Sequence, residues 1–424
     1  MIIRIAAIVF ILLCTSVAWG ILGTTIFHRT YDTDQRLRDQ VMTIWGAPHE
    51  QTPPTAAYEE TITTQAESIE DGKKITRTVK EKVTRRLPLE SSRINVALDL
   101  EHRQKGLLWY STYKVDFGGV YTFRNTSERE EAVVLALDFP ATRALYDDIV
   151  FVVDGQPQDI QSHNSGVTAT VRVPAGKTAV LQVGYRSQGL ESWRYSFGAD
   201  VARVRGFHLS MTTNFKDIDF PENTLSPSEK QETTSGWKLD WSYKNLLSGF
   251  QIGMQMPSKL QPGPLAGQIS YFAPVSLLFF FFILFILTTL RGIELHPMNY
   301  FFLASAFFSF HLLLAYLVDH ISIHAAFVIC SLVSIFLVVS YLRLVVGMRF
   351  AAVEAVAAQF LYLVLFSYAF FFEGYTGLTV TIGAVLTLFF VMQITGRIRW
   401  SEKFARPASA PLSAGAAPGA ARQP

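Results

Sequence analysis

Five apolar runs crowd into Tyr271–Thr395 and a sixth starts at Ile5, while residues 28–270 between them are largely polar. A helix needs ~20 apolar residues to cross the hydrocarbon of a bilayer, and each run reaches that length. The chain therefore reads as an integral membrane protein with one large domain inserted between its first and second spans. The spans are placed at Ile5–Phe27, Tyr271–Leu290, Met298–Val318, Ile321–Leu342, Phe350–Phe372 and Thr376–Thr395. A charged fraction of 17% and a net charge of +2 average over these two unlike regions. They leave no basic domain or stripe of the kind that binds nucleic acid.

Orientation follows from the Lys/Arg bias of the short loops. One side collects Arg4, Arg291, Arg343, Arg349, Arg397, Arg399, Lys403 and Arg406. The other holds Asp319, His320 and Glu373, with no Lys or Arg. This asymmetry predicts cytosolic termini and places residues 28–270 outside, which in a bacterium is the periplasm. Ser16-Val17-Ala18 resembles a signal cleavage site, but the apolar run continues through Trp19, Ile21, Leu22 and Ile26, long for a signal core. Residues 1–27 are thus read as an uncleaved anchor. Cys14 and Cys330 both fall in spans and read as small packing residues. The outer domain has no cysteine to staple it, although its compartment would permit disulfides.

Within 28–270, residues 28–87 read as a helix and hairpin region and 88–260 as a β core. Leu37, Val41 and Ile44 recur at helical spacing as the chain leaves the membrane. Residues 58–86 read as a hairpin turning at Asp71-Gly72. From Pro88 onward about ten short strands recur with turn punctuation, among them 108–117 and 120–124 as separate strands. The fold class is thus mixed: an antiparallel, sandwich-like all-β domain joined to a bundle of six transmembrane helices. Residues 271–400 hold five of those helices, and 401–424 read as a disordered cytosolic tail.

No HExxH, CxxC, G-x-S-x-G or glycine-rich phosphate loop occurs, so no catalytic residue and no cofactor is assigned. Ionisable groups in spans are costly and mark candidate sites. His311 lies deepest, with Ser305 and Ser309 nearby; it reads either as lining a hydrated cleft or as a neutral histidine bonded to a neighbouring helix. His320 and His324, four residues apart at the predicted start of the fourth span, would share a face beside Asp319. Two imidazoles and a carboxylate suit a transition metal or a proton relay. Their plainer reading is a polar helix end whose acid meets the helix dipole. Glu354 is expected to pair with Arg343 or Arg349.

Arg291-Gly292-Ile293-Glu294-Leu295-His296-Pro297-Met298-Asn299-Tyr300, followed by an apolar span ending in Val318-Asp319-His320, resembles the bacterial inner-membrane CreD family. Leu295, His296, Pro297, Met298 and Tyr300 match its leucine-His-Pro-Met-Gln-Tyr string, with Asn299 in place of Gln. Gly106 matches a glycine in the family's outer domain, and Asp219-Phe220-Pro221 and Gly236-Trp237-x-Leu239-x-Trp241 match more loosely. The resemblance implies an inner-membrane protein of a two-component regulon, linked to envelope integrity, colicin tolerance and β-lactam response. The expected role is therefore non-enzymatic, in contact with the lipid bilayer and an envelope protein partner, with the oligomeric state open. A transporter or lipid-handling protein with a cleft among helices two to six is the alternative, as is an intramembrane hydrolase pairing His311 with Ser331, Ser334 or Ser367.

Overall fold

The computed structural model describes residues 2–396 apart from 71–72, 107, 143, 199–201 and 373, and no side chains of 2–3, 64–79 or 202–203. The tail 401–424, the turn Asp71-Gly72 and Glu373 lie outside the described residues. The described chain forms two compact units, Arg29–Pro262 and the remainder on either side of it. Six helices are long and apolar enough to cross a membrane.

Sixteen strands build the larger unit: β1 (His49–Gln51), β2 (Thr55–Glu70), β3 (Lys73–Arg86), β4 (Leu89–Lys105), β5 (Leu108–Arg124), β6 (Glu131–Asp138), β7 (Tyr146–Val153) and β8 (Gln156–Pro157), then β9 (Gln161–His163), β10 (Gly166–Val173), β11 (Thr178–Leu190), β12 (Ser192–Tyr195), β13 (Ala202–Thr213), β14 (Glu229–Glu232), β15 (Trp237–Ser248) and β16 (Ile252–Gln255). They form three sheets, ordered β1-β12-β16, β3-β2-β6-β10-β9 and β14-β15-β13-β4-β5-β11-β7-β8. All pairs are antiparallel except β1 with β12 and β13 with β4, which run parallel.

Period-two alternation decides which face each strand buries. In β4, Ile94, Val96 and Leu98 point inward; in β5, Tyr113, Val115, Phe117, Tyr121 and Phe123; in β11, Ala179, Leu181, Val183 and Tyr185. These faces and those of the other two sheets share one core. Strand β5 is continuous through Gly118-Gly119, where the sequence reading broke it in two. The glycines are a packing device here: a Cβ on Gly119 would stand 2.5 Å from the Tyr121 ring. Past Ala57, β2 leaves β6 and pairs only with β3, so the two continue as a ribbon.

Polar groups in this core are mostly matched. The Tyr113 hydroxyl donates to Ser192 O at 2.8 Å, and Tyr185 to Gln51 Oε1 at 2.7 Å. Gln51 Nε2 in turn donates to Thr52 O and Asp138 O. Trp193 Nε1 is buried without a partner, and His49 is the sharper exception. It is 1% exposed, its ring set edge-on to Tyr113 and stacked near Tyr146, and neither ring nitrogen has a hydrogen-bond partner. Burial pushes its pKa from 6.5 down to about 4.

The first helix is Ile2–Ile44, so the anchor and the polar segment after it are one element, of which the part up to His28 belongs to the helical unit. The second, Pro262–Arg291, starts nine residues before the apolar run. Pro262 and Pro264 fall in its first turn, where their missing N–H groups are not needed, so the helix begins before its hydropathy does. The third and fourth are Pro297–Leu317 and Ile323–Val346. The fifth, Met348–Phe371, contains two π-helical stretches, Ala351–Ala355 and Phe360–Leu365. The sixth is Thr376–Thr395. Cys330 is buried, but Cys14 lies on the outer surface of the first helix, so it is not an interior packing residue.

Candidate functional site

The interior of the helical unit concentrates polar groups where an apolar solvent would surround the outside. Ser276, Thr288, His311, Ser334, Gln359 and Ser367 are all within 1% of fully buried. Most spend their hydrogens on backbone carbonyls, the usual way a hydroxyl is satisfied inside a membrane helix. Thr288 donates to Leu284 O at 2.8 Å and Ser331 to Phe327 O at 2.8 Å, each one turn back.

Two of the buried serines reach a carbonyl of another helix. Ser334 on the fourth donates to Ala306 O on the third at 2.7 Å, and Ser276 on the second donates to Tyr362 O inside a π stretch of the fifth. Gln359, just before that stretch, donates from Nε2 to Ser334 Oγ at 2.8 Å, while its Oε1 has no partner. Ser334 has one hydroxyl proton, and Ala306 O takes it. Turning the amide round would instead strand the Gln359 NH2 group, so either orientation leaves one end unsatisfied. This relay joins three helices and ends on an open acceptor.

His311 is enclosed by rings: Trp19 at 5.7 Å and 89°, Phe310 at 4.9 Å, and Phe307 at 6.1 Å. Its Nδ1 donates to Phe307 O at 3.1 Å, which leaves Nε2 as a buried acceptor without a partner, beside the equally unpartnered Nε1 of Trp19. Ser305 and Ser309 do not join it; they bond to Phe301 O and Ala306 O. Among the described residues no serine hydroxyl is hydrogen-bonded to His311.

The outer trio is not arranged as its spacing suggests. Helix four begins at Ile323 with Ser322 as its N-cap, so His320 and His324 do not share a helix face. The reason lies upstream: the N–H groups of Asp319, His320 and Ile321 bond to Tyr316 O and Leu317 O, tying them to the end of helix three. His320 is exposed, and the His324 ring lies 5.3 Å from Phe371. Among the described residues no three His, Cys, Asp or Glu side chains group as a metal site.

The His296-Pro297 string does a structural task. His296 is the N-cap of helix three, its Nδ1 accepting from Met298 N at 3.2 Å, and Pro297 follows as the first helical residue. Leu295 and Tyr300 are buried, Tyr300 edge-on to Phe281 at 5.3 Å, whereas Met298 is half exposed. Asn299 Oδ1 accepts from Tyr341 at 2.8 Å. Gly106 closes the β4–β5 hairpin at φ +62°, a left-handed conformation in which a side chain is strained. Glu354 pairs with Arg291 of helix two, not with the expected Arg343 or Arg349.

Among solved structures, a putative nutrient binding protein from Legionella pneumophila aligns over 55% of this chain and 76% of its own at 10% identity, with a TM-score of 0.32. An M1 zinc metallopeptidase from Deinococcus radiodurans aligns over 40% of this chain and 42% of its own at 10% identity, with a TM-score of 0.26. Neither likeness is close enough to inform the chemistry, and the chain spans less than half of the peptidase. No curated protein matches. The model of the family described as inner membrane protein CreD matches residues 1–401, and the chain belongs to that family.

Proposed function

We propose that this protein is a non-enzymatic component of the bacterial envelope whose β domain acts outside the cytoplasmic membrane, through contact with an envelope protein, with both chain termini in the cytosol. The observation that carries the orientation is the loop asymmetry. Arg291, Arg343 and Arg349 lie at one set of helix ends, and the loop at Asp319–His320 on the other has no Lys or Arg. The non-catalytic part of the reading is supported by how the buried hydroxyls and His311 are used. Most of them bond to backbone or to one another, and among the described residues no serine hydroxyl is hydrogen-bonded to His311.

Reporter fusions test the orientation. Alkaline phosphatase fused after Lys259 should be active and after Lys403 silent; the reverse pattern would overturn it. Crosslinking in native membranes tests the role. A reproducible protein partner captured through the β domain supports it, whereas a strain lacking the protein that survives envelope stress as well as its parent would count against it.

A further inference from the structure

Between the fifth and sixth membrane helices, with Phe279 of the second also lining it, lies a cavity of about 130 Å³. Tyr362 and Thr387 form its buried floor, and Leu361, Leu365, Thr379 and Gly383 stand exposed at its mouth. One wall is the π-helical stretch Phe360–Leu365. Such turns are rare, and in other proteins they gather at functional sites. The facing wall is opened by Gly383, where an added Cβ would meet nothing within 4 Å.

The chemistry of the lining identifies the class of occupant. Every hydroxyl in it is already used: Tyr362 donates to Thr387 Oγ1 at 2.9 Å, Thr387 to Gly383 O at 2.8 Å, and Thr379 to Tyr375 O at 3.0 Å. The cavity thus offers no free donor to a phosphate, sugar or carboxylate. Beyond the lone pairs of those oxygens it offers shape and a mostly apolar surface. Outside the mouth, Leu378, Ile382, Val385 and Leu386 of the sixth helix are each more than half exposed, so the medium at the opening is hydrocarbon.

We propose that this groove is a binding site for one acyl chain of a membrane phospholipid, seated between the fifth and sixth helices against the Tyr362–Thr387 pair. The site holds a chain rather than a phosphate headgroup, because no lining hydroxyl has a proton left to donate to one. It stands apart from the interaction role proposed for the β domain and does not depend on it.

The test uses the full-length protein in vesicles of phosphatidylethanolamine and phosphatidylglycerol containing a phosphatidylethanolamine with a photoactivatable diazirine in one acyl chain. After irradiation, mass spectrometry maps the labelled peptides. Labelling should concentrate on 361–365 and 379–387, above that around Phe336, whose side chain faces outward from the fourth helix at 69% exposure. Gly383→Leu and, separately, Ala384→Leu should fill the groove and lower its labelling to the Phe336 level, while Tyr362→Phe should label like the wild type. A wild-type map no higher in the groove than at Phe336 overturns the proposal, and this comparison needs no folded variant. So does labelling that survives both filling substitutions, or labelling by a free diazirine fatty acid but not by the phospholipid. Loss of labelling in Tyr362→Phe would reveal polar recognition and overturn the chain-only site.

Discussion

The β domain and the helical unit both bury large apolar side chains, but they differ in what they turn outward. In the β domain the largest residues lie inside: Trp193, Trp241, Tyr113, Tyr121, Tyr185 and Phe207 are all below 2% exposed or close to it. In the helical unit Phe301, Phe302, Phe336, Phe389 and Phe390 point outward at 43% to 69% exposure, while Ser276, Ser334, Gln359 and His311 lie within. The same physical rule operates in two solvents. Water drives apolar surface inward, whereas lipid has no such preference and leaves close packing and hydrogen bonds to hold helices together. One unit is therefore sensitive to cavities, and the other to its few interior polar contacts.

The largest effect should separate the two units directly. Trp241 is fully buried and its Nε1 donates to Leu225 O at 2.8 Å. Trp241→Ala should cost the β domain about 3–5 kcal/mol in urea unfolding followed by tryptophan fluorescence. Phe336→Ala, on the outer face of helix four, should leave the resistance of the helices to denaturing detergent nearly unchanged. Equal losses at the two positions would break the comparison.

Next is a pH dependence confined to the β domain. The folded-state pKa of His49 lies near 4, below its ordinary 6.5, so the unfolded chain takes up the proton first. Stability should be unaffected above pH 6.5 and fall as pH drops toward 4, by about 3 kcal/mol at the lower end. His49→Phe, which keeps an aromatic ring against Tyr113 and Tyr146, should flatten this part of the profile. An unchanged slope in that variant would assign the acid sensitivity to other groups.

Smaller effects sharpen the contrast. Gly106→Ala should cost about 1 kcal/mol, because the hairpin tip holds a left-handed backbone that alanine adopts with strain. In the helices, Ser334→Ala removes the partner of the Gln359 Nε2 group and should cost up to about 1 kcal/mol. Gln359→Leu should cost less than that or stabilise, since it removes the open acceptor and leaves Ser334 bonded to Ala306 O. Detergent-unfolding midpoints of the two variants decide it, and a larger loss in Gln359→Leu would show that the acceptor does have a partner.

Much of this architecture was legible in the chain, for reasons that differ by region. Span existence follows from the length of an apolar run, but the start of helix two does not, because Pro262–Ser270 is helical without being strongly apolar. Strands such as β4 and β11 announce themselves by alternation. The parallel pairings do not, since a register partner such as Phe207 for Ser92 lies far along the chain. The spacing of His320 and His324 implies a shared face only if one helix contains both, and the end of helix three intervenes. The π-helical stretches leave no mark in composition: Phe360–Leu365 reads like any other apolar turn. Gln359 did leave one, because an amide inside an apolar span is costly in the way a charge is, and a reading tuned to ionisable groups passes over it.

The parallel seam between β4 and β13 also sets an order of events during folding. Strand β4 acquires its antiparallel neighbour β5 at once through the Gly106 hairpin, but its other edge waits until the chain has supplied everything up to β13. Closing such a loop must precede any reward from the contacts it makes, which slows assembly and leaves a long edge open to wrong partners meanwhile. With no cysteine in residues 29–262, nothing covalent can hold a half-built sheet. The interval between the two strands is where this domain is most exposed to misassembly.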